Sequence, residues 1–106
     1  MRIVRRRSHQ AKLVMQALLD AHDAEVYGLE IVRASGLSAG TAYGILRRLE
    51  DEGLLGSRWE QMDAASEGRP PRRYYRLSGE GRKVAQRETI GSRHALRLLS
   101  PGWGRA

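Results

Sequence analysis

The chain has 106 residues, a formal net charge of +7 and no cysteine. This length fits one domain with one modest core, which pairing with a second copy would help to complete. The missing cysteines exclude disulfides and thiolate metal sites together. No run is long and apolar enough to span a bilayer, and the basic N-terminus lacks the apolar stretch of a secretory signal. The expected location is therefore the cytoplasm.

The charge is unevenly spread. Of the 19 basic residues, 17 are Arg and two are Lys. Residues 1–12 hold Arg2, Arg5, Arg6, Arg7 and Lys12 with no acid, whereas residues 13–68 hold four Arg against ten acids. Residues 69–76 then hold four Arg and no acid. Basic charge is thus gathered in an arm, a loop and a tail. Arginine forks bind phosphates and base edges in a planar, bidentate way, so nucleic acid is the leading partner class. A GC-rich genome would also favour Arg over Lys, but it does not explain the clustering.

In chain order, residues 1–8 read as a basic arm. Arg5, Arg6 and Arg7 suit phosphates or a minor groove; a solvated tail that only aids solubility is the plainer alternative. Ser8 can cap a first helix from His9 to about Ala21, with Leu13, Val14, Ala17, Leu18 and Ala21 as its apolar face. Asp20-Ala-His-Asp23 closes it. The histidines at 9, 22 and 94 are too far apart to suggest a metal site, and His22 reads as an ordinary helix-end histidine. Neither metal nor cofactor is expected. Glu25-Val26-Tyr27 is short and β-prone.

Residues 27–53 are the centre of the chain. A helical pattern from Gly28 to about Ala34 carries Leu29, Ile31 and Val32. Ser35-Gly36-Leu37 breaks it: Gly36 can take left-handed backbone angles, and Leu37 can plug the space between two helices. Ser38 fits an N-cap. Ala42, Ile45, Leu46 and Leu49 then form one stripe, and Gly53 fits the exit. Two helices joined by such a turn make a helix-turn-helix.

At about 100° per residue, Gly40, Gly44, Arg47 and Asp51 point away from the stripe, flanked by Thr41, Tyr43 and Arg48. Two glycines on the outer face of one helix cost roughly 1 kcal/mol each against Ala. Close approach to another surface, such as a DNA major groove, would explain them; an ordinary surface helix would not need them.

Leu54-Leu55 opens a strand that continues through Trp59 and Glu60. Residues 61–71 read as a non-regular loop, and Arg72 to Leu77 as the return strand, with Tyr75 and Leu77 facing inward. Trp59 is expected to cover the core or to join a dimer seam; for it and the strand tyrosines, simple packing is favoured over the alternative of direct DNA contact. The side chains of Arg69, at the end of the loop, and Arg72, at the start of the return strand, are expected to stand in solvent, with Arg73 beside them. Ser78-Gly-Glu-Gly81 starts a last helix whose narrow apolar face includes Val84, Ile90, Ala95, Leu98 and Leu99. That face suits a dimer seam, because a monomer would leave it exposed.

The order Gly40-Thr41-x-Tyr43, Arg48-Leu49-Glu50 with Gly53-Leu54, Trp59, Gly68-Arg69-Pro70, and Tyr74-Tyr75-x-Leu77 before Gly81 resembles the PadR-type winged helix-turn-helix transcriptional regulators. The resemblance spans about Leu13 to Val84. Gly44 departs from the family pattern, which often has proline or another residue there, and the segment after Gly81 is short. The resemblance implies a mainly α fold with a small β-wing, ordered helix, short strand, helix, helix, two wing strands, helix. It also implies pairing of the short strand with the wing. The implied division is an arm (1–8), a winged helix-turn-helix domain (9–77) and a C-terminal helix with its tail (78–106).

The function implied is a sequence-specific double-stranded DNA-binding regulator, usually a repressor. It would act as a homodimer on a palindromic operator and associate with the nucleoid. Recognition would fall to Ser38, Gly40, Thr41, Tyr43, Gly44, Arg47 and Arg48, with wing contacts from Arg69, Arg72 and Arg73. Some relatives respond to small molecules, but nothing in this sequence names an effector.

No enzyme is expected. There is no Ser/His/Asp or Cys/His set, and Gly36-x-x-x-Gly40-Thr41 lacks the lysine of a P-loop. The competing reading is a winged helix used as a protein-interaction module. Such a module would prefer apolar residues on the outer face of the third helix, where this chain has Gly, Thr, Tyr and Arg. An RNA-binding protein is disfavoured because the A-form major groove does not admit side chains readily.

Overall fold

Ser8 sets the start of the first helix, α1 (His9–Asp20). Its hydroxyl accepts from the Ala11 amide at 3.1 Å, satisfying a donor that the first turn leaves free. The computed structural model describes residues 8–21 and 24–88. The two-residue strand β1 (Val26–Tyr27) leads directly into α2 (Gly28–Ser35). Glu30 reaches back to accept from the Tyr27 amide at 3.3 Å and fixes that entry. Gly36 closes α2 at φ 74°, a conformation that costs glycine little. Ser38 caps α3 (Ala39–Asp51).

After α3 come β2 (Leu55–Trp59), a single turn α4 (Ala64–Glu67) and β3 (Arg73–Leu77). A last helix, α5, occupies residues 79–88. The sheet is antiparallel in the order β1-β3-β2. Val26 lies opposite Tyr75 and Tyr27 opposite Tyr74, so the short strand does pair with the wing.

The core forms where the helices meet one face of this sheet. Val14, Met15 and Leu18 of α1, Ile31 of α2, and Ile45, Leu46 and Leu49 of α3 pack with Leu54, Leu55, Tyr75 and Leu77. The expected α3 stripe is buried in full, and Leu37 is half-buried against the core between α2 and α3. The α1 face is rotated from its expected position. Ala11 and Met15 are buried and Leu13 only half-buried, because α1 packs against α2, α3 and β3 at once.

Three further expectations are corrected. The loop over 61–71 contains α4: the Asp63 carboxylate accepts from the Ala65 amide at 3.0 Å, and Gly68 at φ 71° follows its end. Asp63 and Gly68 are therefore helix punctuation as well as loop markers. Trp59 does not cover the core and is 58% exposed. Val84, assigned to a dimer seam, is buried with Ala85 in the core of its own protomer. The core thus continues past the boundary drawn at Leu77.

The start of α5 is seated on the chain leaving α3. The Ser78 amide donates to the Leu54 carbonyl at 3.0 Å, and the Ser78 hydroxyl donates to the Gly53 carbonyl at 2.8 Å. Gly81 lies so close that a Cβ there would stand 1.7 Å from the Leu54 oxygen. Gly81→Ala should therefore destabilise the fold by at least the upper part of the roughly 1–3 kcal/mol range for overpacking. Urea denaturation measures this. Gly79→Ala is the control, since nothing among the described residues lies within 4 Å of its Cβ position.

Candidate nucleic-acid interface

The buried stripe of α3 leaves the opposite face to solvent. Gly40, Gly44, Arg47, Arg48 and Asp51 are all exposed. Among the described residues, nothing lies within 4 Å of a Cβ built on Gly40 or Gly44. Internal packing therefore does not require either glycine. Neither Arg47 nor Arg48 has an ion-pair partner among the described residues. The result is a low ridge with two uncommitted guanidinium groups on its later turns.

The flanking residues differ from expectation. Ser38 is occupied by capping: its hydroxyl accepts from the Thr41 amide at 3.3 Å and donates to Thr41 Oγ1 at 3.0 Å. Thr41 is half-buried within this cap instead of standing clear. Tyr43 is 39% exposed, but its ring leans back over the start of α2. A Cβ on Gly28 would sit 2.9 Å from Tyr43 Cε1 and 3.1 Å from its hydroxyl oxygen. Gly28 thus makes room for the Tyr43 ring, a role that local sequence does not reveal.

The wing arginines are also corrected. Arg69, expected in solvent, pairs with Glu60 at 2.8 Å and is about a third exposed. Glu60 additionally accepts from the Arg72 amide at 3.3 Å, and its own amide donates to the Arg72 carbonyl at 2.7 Å. These bonds tie together the two ends of the α4-containing loop. The Arg69 hydrogen bond, helped by the Arg72 amide, holds the Glu60 carboxyl below its usual range.

Arg72 and Arg73 point to opposite faces of the hairpin. The Arg72 guanidinium lies 4.7 Å from the Tyr27 ring centre, and Tyr27 packs against Tyr74 at 6.1 Å. Arg58 lies 5.3 Å over Tyr74 and is held by both carboxylate oxygens of Glu25 at 2.6 Å. That pairing lowers the Glu25 pKa. On the other face, Arg73 lies 4.9 Å over Trp59 and 3.8 Å from Glu50 of α3. The Ser57 hydroxyl donates to the same Glu50 at 2.6 Å. Tyr75 is pushed up in pKa chiefly by its burial in the core.

Sequence reasoning missed two of the three carboxylates that engage these arginines, Glu25 and Glu60, and did not identify Arg73 as the partner of Glu50. The Trp59–Arg73 contact could have been found by pairing the strands from Leu55 and Leu77 outward, since Trp59 and Arg73 are cross-strand partners. Arg5, Arg6 and Arg7 lie outside the described residues, as do His22, Ile90, Ala95, Leu98 and Leu99. Among the described residues, no group of three or more His, Asp or Glu side chains could hold a metal ion. No helix there is long and apolar enough to cross a membrane.

A helix-turn-helix with an exposed second helix, an adjoining two-stranded wing and a third short strand beside it defines a winged-helix DNA-binding regulator. The chain belongs to the transcriptional regulator PadR-like family, whose family model matches residues 17–87. It is similar to a PadR family transcriptional regulator from Eggerthella lenta DSM 2243 (33% identity, TM-score 0.59, covering 88% of this chain and 86% of that one). A PadR family regulator from Clostridium difficile R20291 is similar at 25% identity and TM-score 0.64, covering 87% of this chain and 95% of that one. The fold is also that of Staphylococcus aureus MepR in its DNA-binding conformation (17% identity, TM-score 0.72). There the match covers 88% of this chain but 64% of the MepR chain. A search of the curated proteins found no match. The family and fold are those of transcription regulators, which are not enzymes.

The Glu60 clasp has a definite pH dependence. Because the folded pKa of Glu60 is depressed, the clasp contributes fully above the ordinary carboxylate range. It is lost as pH falls through the lowered folded value. Glu60→Gln at neutral pH should reproduce that loss. Amide exchange across residues 60–72 should speed up several-fold relative to intrinsic rates, while the global melting temperature hardly moves, because exposed ion pairs contribute little.

Proposed function

We propose that this regulator is a homodimeric repressor that binds a palindromic double-stranded DNA site and blocks transcription by occupying a promoter. The observation that carries the reading is the outer face of α3, where two open glycines stand with two arginines that have no ion-pair partner among the described residues. Glycines at these positions weaken the helix without relieving any internal clash, and they let a duplex approach the backbone closely. Arg47 and Arg48 supply the charge: Arg47 is assigned to base edges and Arg48 to phosphate.

A two-fold dimer would place two copies of α3 in successive major grooves, about 34–36 Å apart. With Val84 committed to its own core, the seam falls to Ile90, Ala95, Leu98 and Leu99. Arg69 is reassigned from a free phosphate contact to a clasp that shapes the wing. Arg5, Arg6 and Arg7 are assigned to the DNA backbone, and the site of action is the nucleoid in the cytoplasm. Arg72 and Arg73 remain wing contacts in this reading. Their cation–π partners leave the charge in place while limiting the side-chain freedom lost on binding.

Selection of bound fragments from genomic DNA with purified protein tests the reading directly. Arg47→Ala should weaken the selected site by about 1–3 kcal/mol, as for a lost bidentate base contact, and random DNA much less. Gly44→Ala separates close approach from plain surface helix. It should raise stability by up to about 1 kcal/mol yet lower affinity for the selected site. A gain in stability with unchanged affinity would remove the close-approach explanation. Sedimentation at micromolar concentration should give a dimer; a monomer bound to one undivided half-site would contradict the paired-helix mechanism.

A further inference from the structure

Trp59 is more than half exposed, at 58%, although a Trp side chain has much apolar area to bury. Its position follows from the register of the wing. Leu55 pairs with Leu77, Ser57 with Tyr75 and Trp59 with Arg73. Alternate residues share a sheet face, so Trp59 lies on the face that carries the buried Leu55, Tyr75 and Leu77. Beyond the end of the core, Glu50 of α3 meets this face. It accepts the Ser57 hydroxyl at 2.6 Å and lies 3.8 Å from Arg73. The Arg73 guanidinium then covers the Trp59 ring at 4.9 Å. A chain of contacts therefore runs from α3 through Glu50 and Arg73 to the exposed indole. Arg47 stands one turn before Glu50 on the outer side of the same helix.

We infer that Trp59 is a DNA-contact residue, packing its indole against the sugar–phosphate backbone that borders the groove occupied by α3. The inference rests on the DNA-binding reading above and adds to it an apolar contact on the wing. Deoxyribose presents an apolar face beside a phosphate; the indole supplies apolar area and one N–H donor, and Arg73 supplies adjacent positive charge. Charge complementarity favours this occupant over a second copy of the chain. The Trp59 ring is covered on its own face by Arg73, and a second wing would bring the same arginine against it. The contact is also continuous with the exposed face of α3.

The test uses the full chain carrying Trp103→Phe, so that Trp59 is the single tryptophan, together with a fragment selected by the wild-type protein. Trp59 emission should change on titration and saturate with binding. Trp59→Ala should weaken the selected fragment and random DNA alike, by roughly tenfold, the scale of one large side chain losing its burial. The dependence of affinity on salt should keep its slope, because no phosphate-bound cation is removed. Trp59→Phe should recover most of the loss, and both variants should melt near the wild type. Unmoved emission at saturation, or unchanged affinity of Trp59→Ala, would overturn the inference and leave the DNA reading standing. Dissociation of the Trp59→Ala dimer would also overturn it and assign the residue to a protein seam. A wild-type protein that retains no DNA fragment would reject the DNA reading and the inference with it.

Discussion

The carbonyl of Leu54 is the point on which the arrangement of this domain depends. The chain leaves α3 through Gly53, and the Leu54 amide donates back to Leu49 at 2.9 Å. The Leu54 side chain enters the core, its carbonyl accepts from Ser78, and the Cβ-less face of Gly81 lies against that same carbonyl. One peptide group thus joins the end of α3, the start of the wing and the start of the last helix. A displacement of α5 would have to move Leu54 or break this contact. Interiors packed this closely transmit displacement instead of absorbing it. In a dimer built through the C-terminal segment, the spacing between two copies of α3 would be set through this junction.

The wing follows a different logic. Its arginines are numerous, but three are engaged by carboxylates from separate parts of the chain: Glu25 before β1, Glu50 on α3 and Glu60 at the end of β2. Exposed pairs of this kind add little stability. Their effect is geometric, because each holds a long side chain in one place. Glu60 fixes the two ends of the loop, Glu25 anchors Arg58 over Tyr74, and Glu50 links the wing to α3. The five Arg side chains of residues 55–77 would otherwise repel one another, and the carboxylates reduce that repulsion. In the proposed complex the wing would meet DNA already shaped, and less conformational entropy would be lost on binding.

Local chemistry made much of this fold legible in the sequence. Ser8, Gly36, Ser38 and Gly53 mark helix ends through bonds and angles that involve only neighbouring residues, and each occupies its expected position. The α3 stripe follows from helical period alone, and the inward placement of Tyr75 and Leu77 from strand alternation. The readings that failed depend on distant partners. Arg69 reads as a free cation until Glu60 is brought beside it across nine positions, and Arg58 meets Glu25 across 33. Val84 reads as part of an exposed stripe until α5 is seated on Leu54. Gly28 reads as an ordinary helix start until Tyr43, from the next helix, lies over it. Composition identifies these groups without saying which of them meet.

Helix α3 shows why legible and illegible features coexist in one element. Its 13 residues include two glycines on the outer face, which together disfavour the helix by roughly 2 kcal/mol. An isolated helix of this length would be marginal even with a better composition. What holds it is the Ser38 cap at one end and the fully buried Ala42, Leu46 and Leu49, with Ile45 nearly so, along the inner face. Because the inner face and the cap hold the helix, the outer face is released from stabilising the fold. It can carry glycine where close approach is needed and Arg where charge is needed, at a cost the buried face offsets. The same separation explains why the inner face could be read from hydrophobic period while the outer face could not: burial constrains the first, and only the shape and charge of a partner constrain the second.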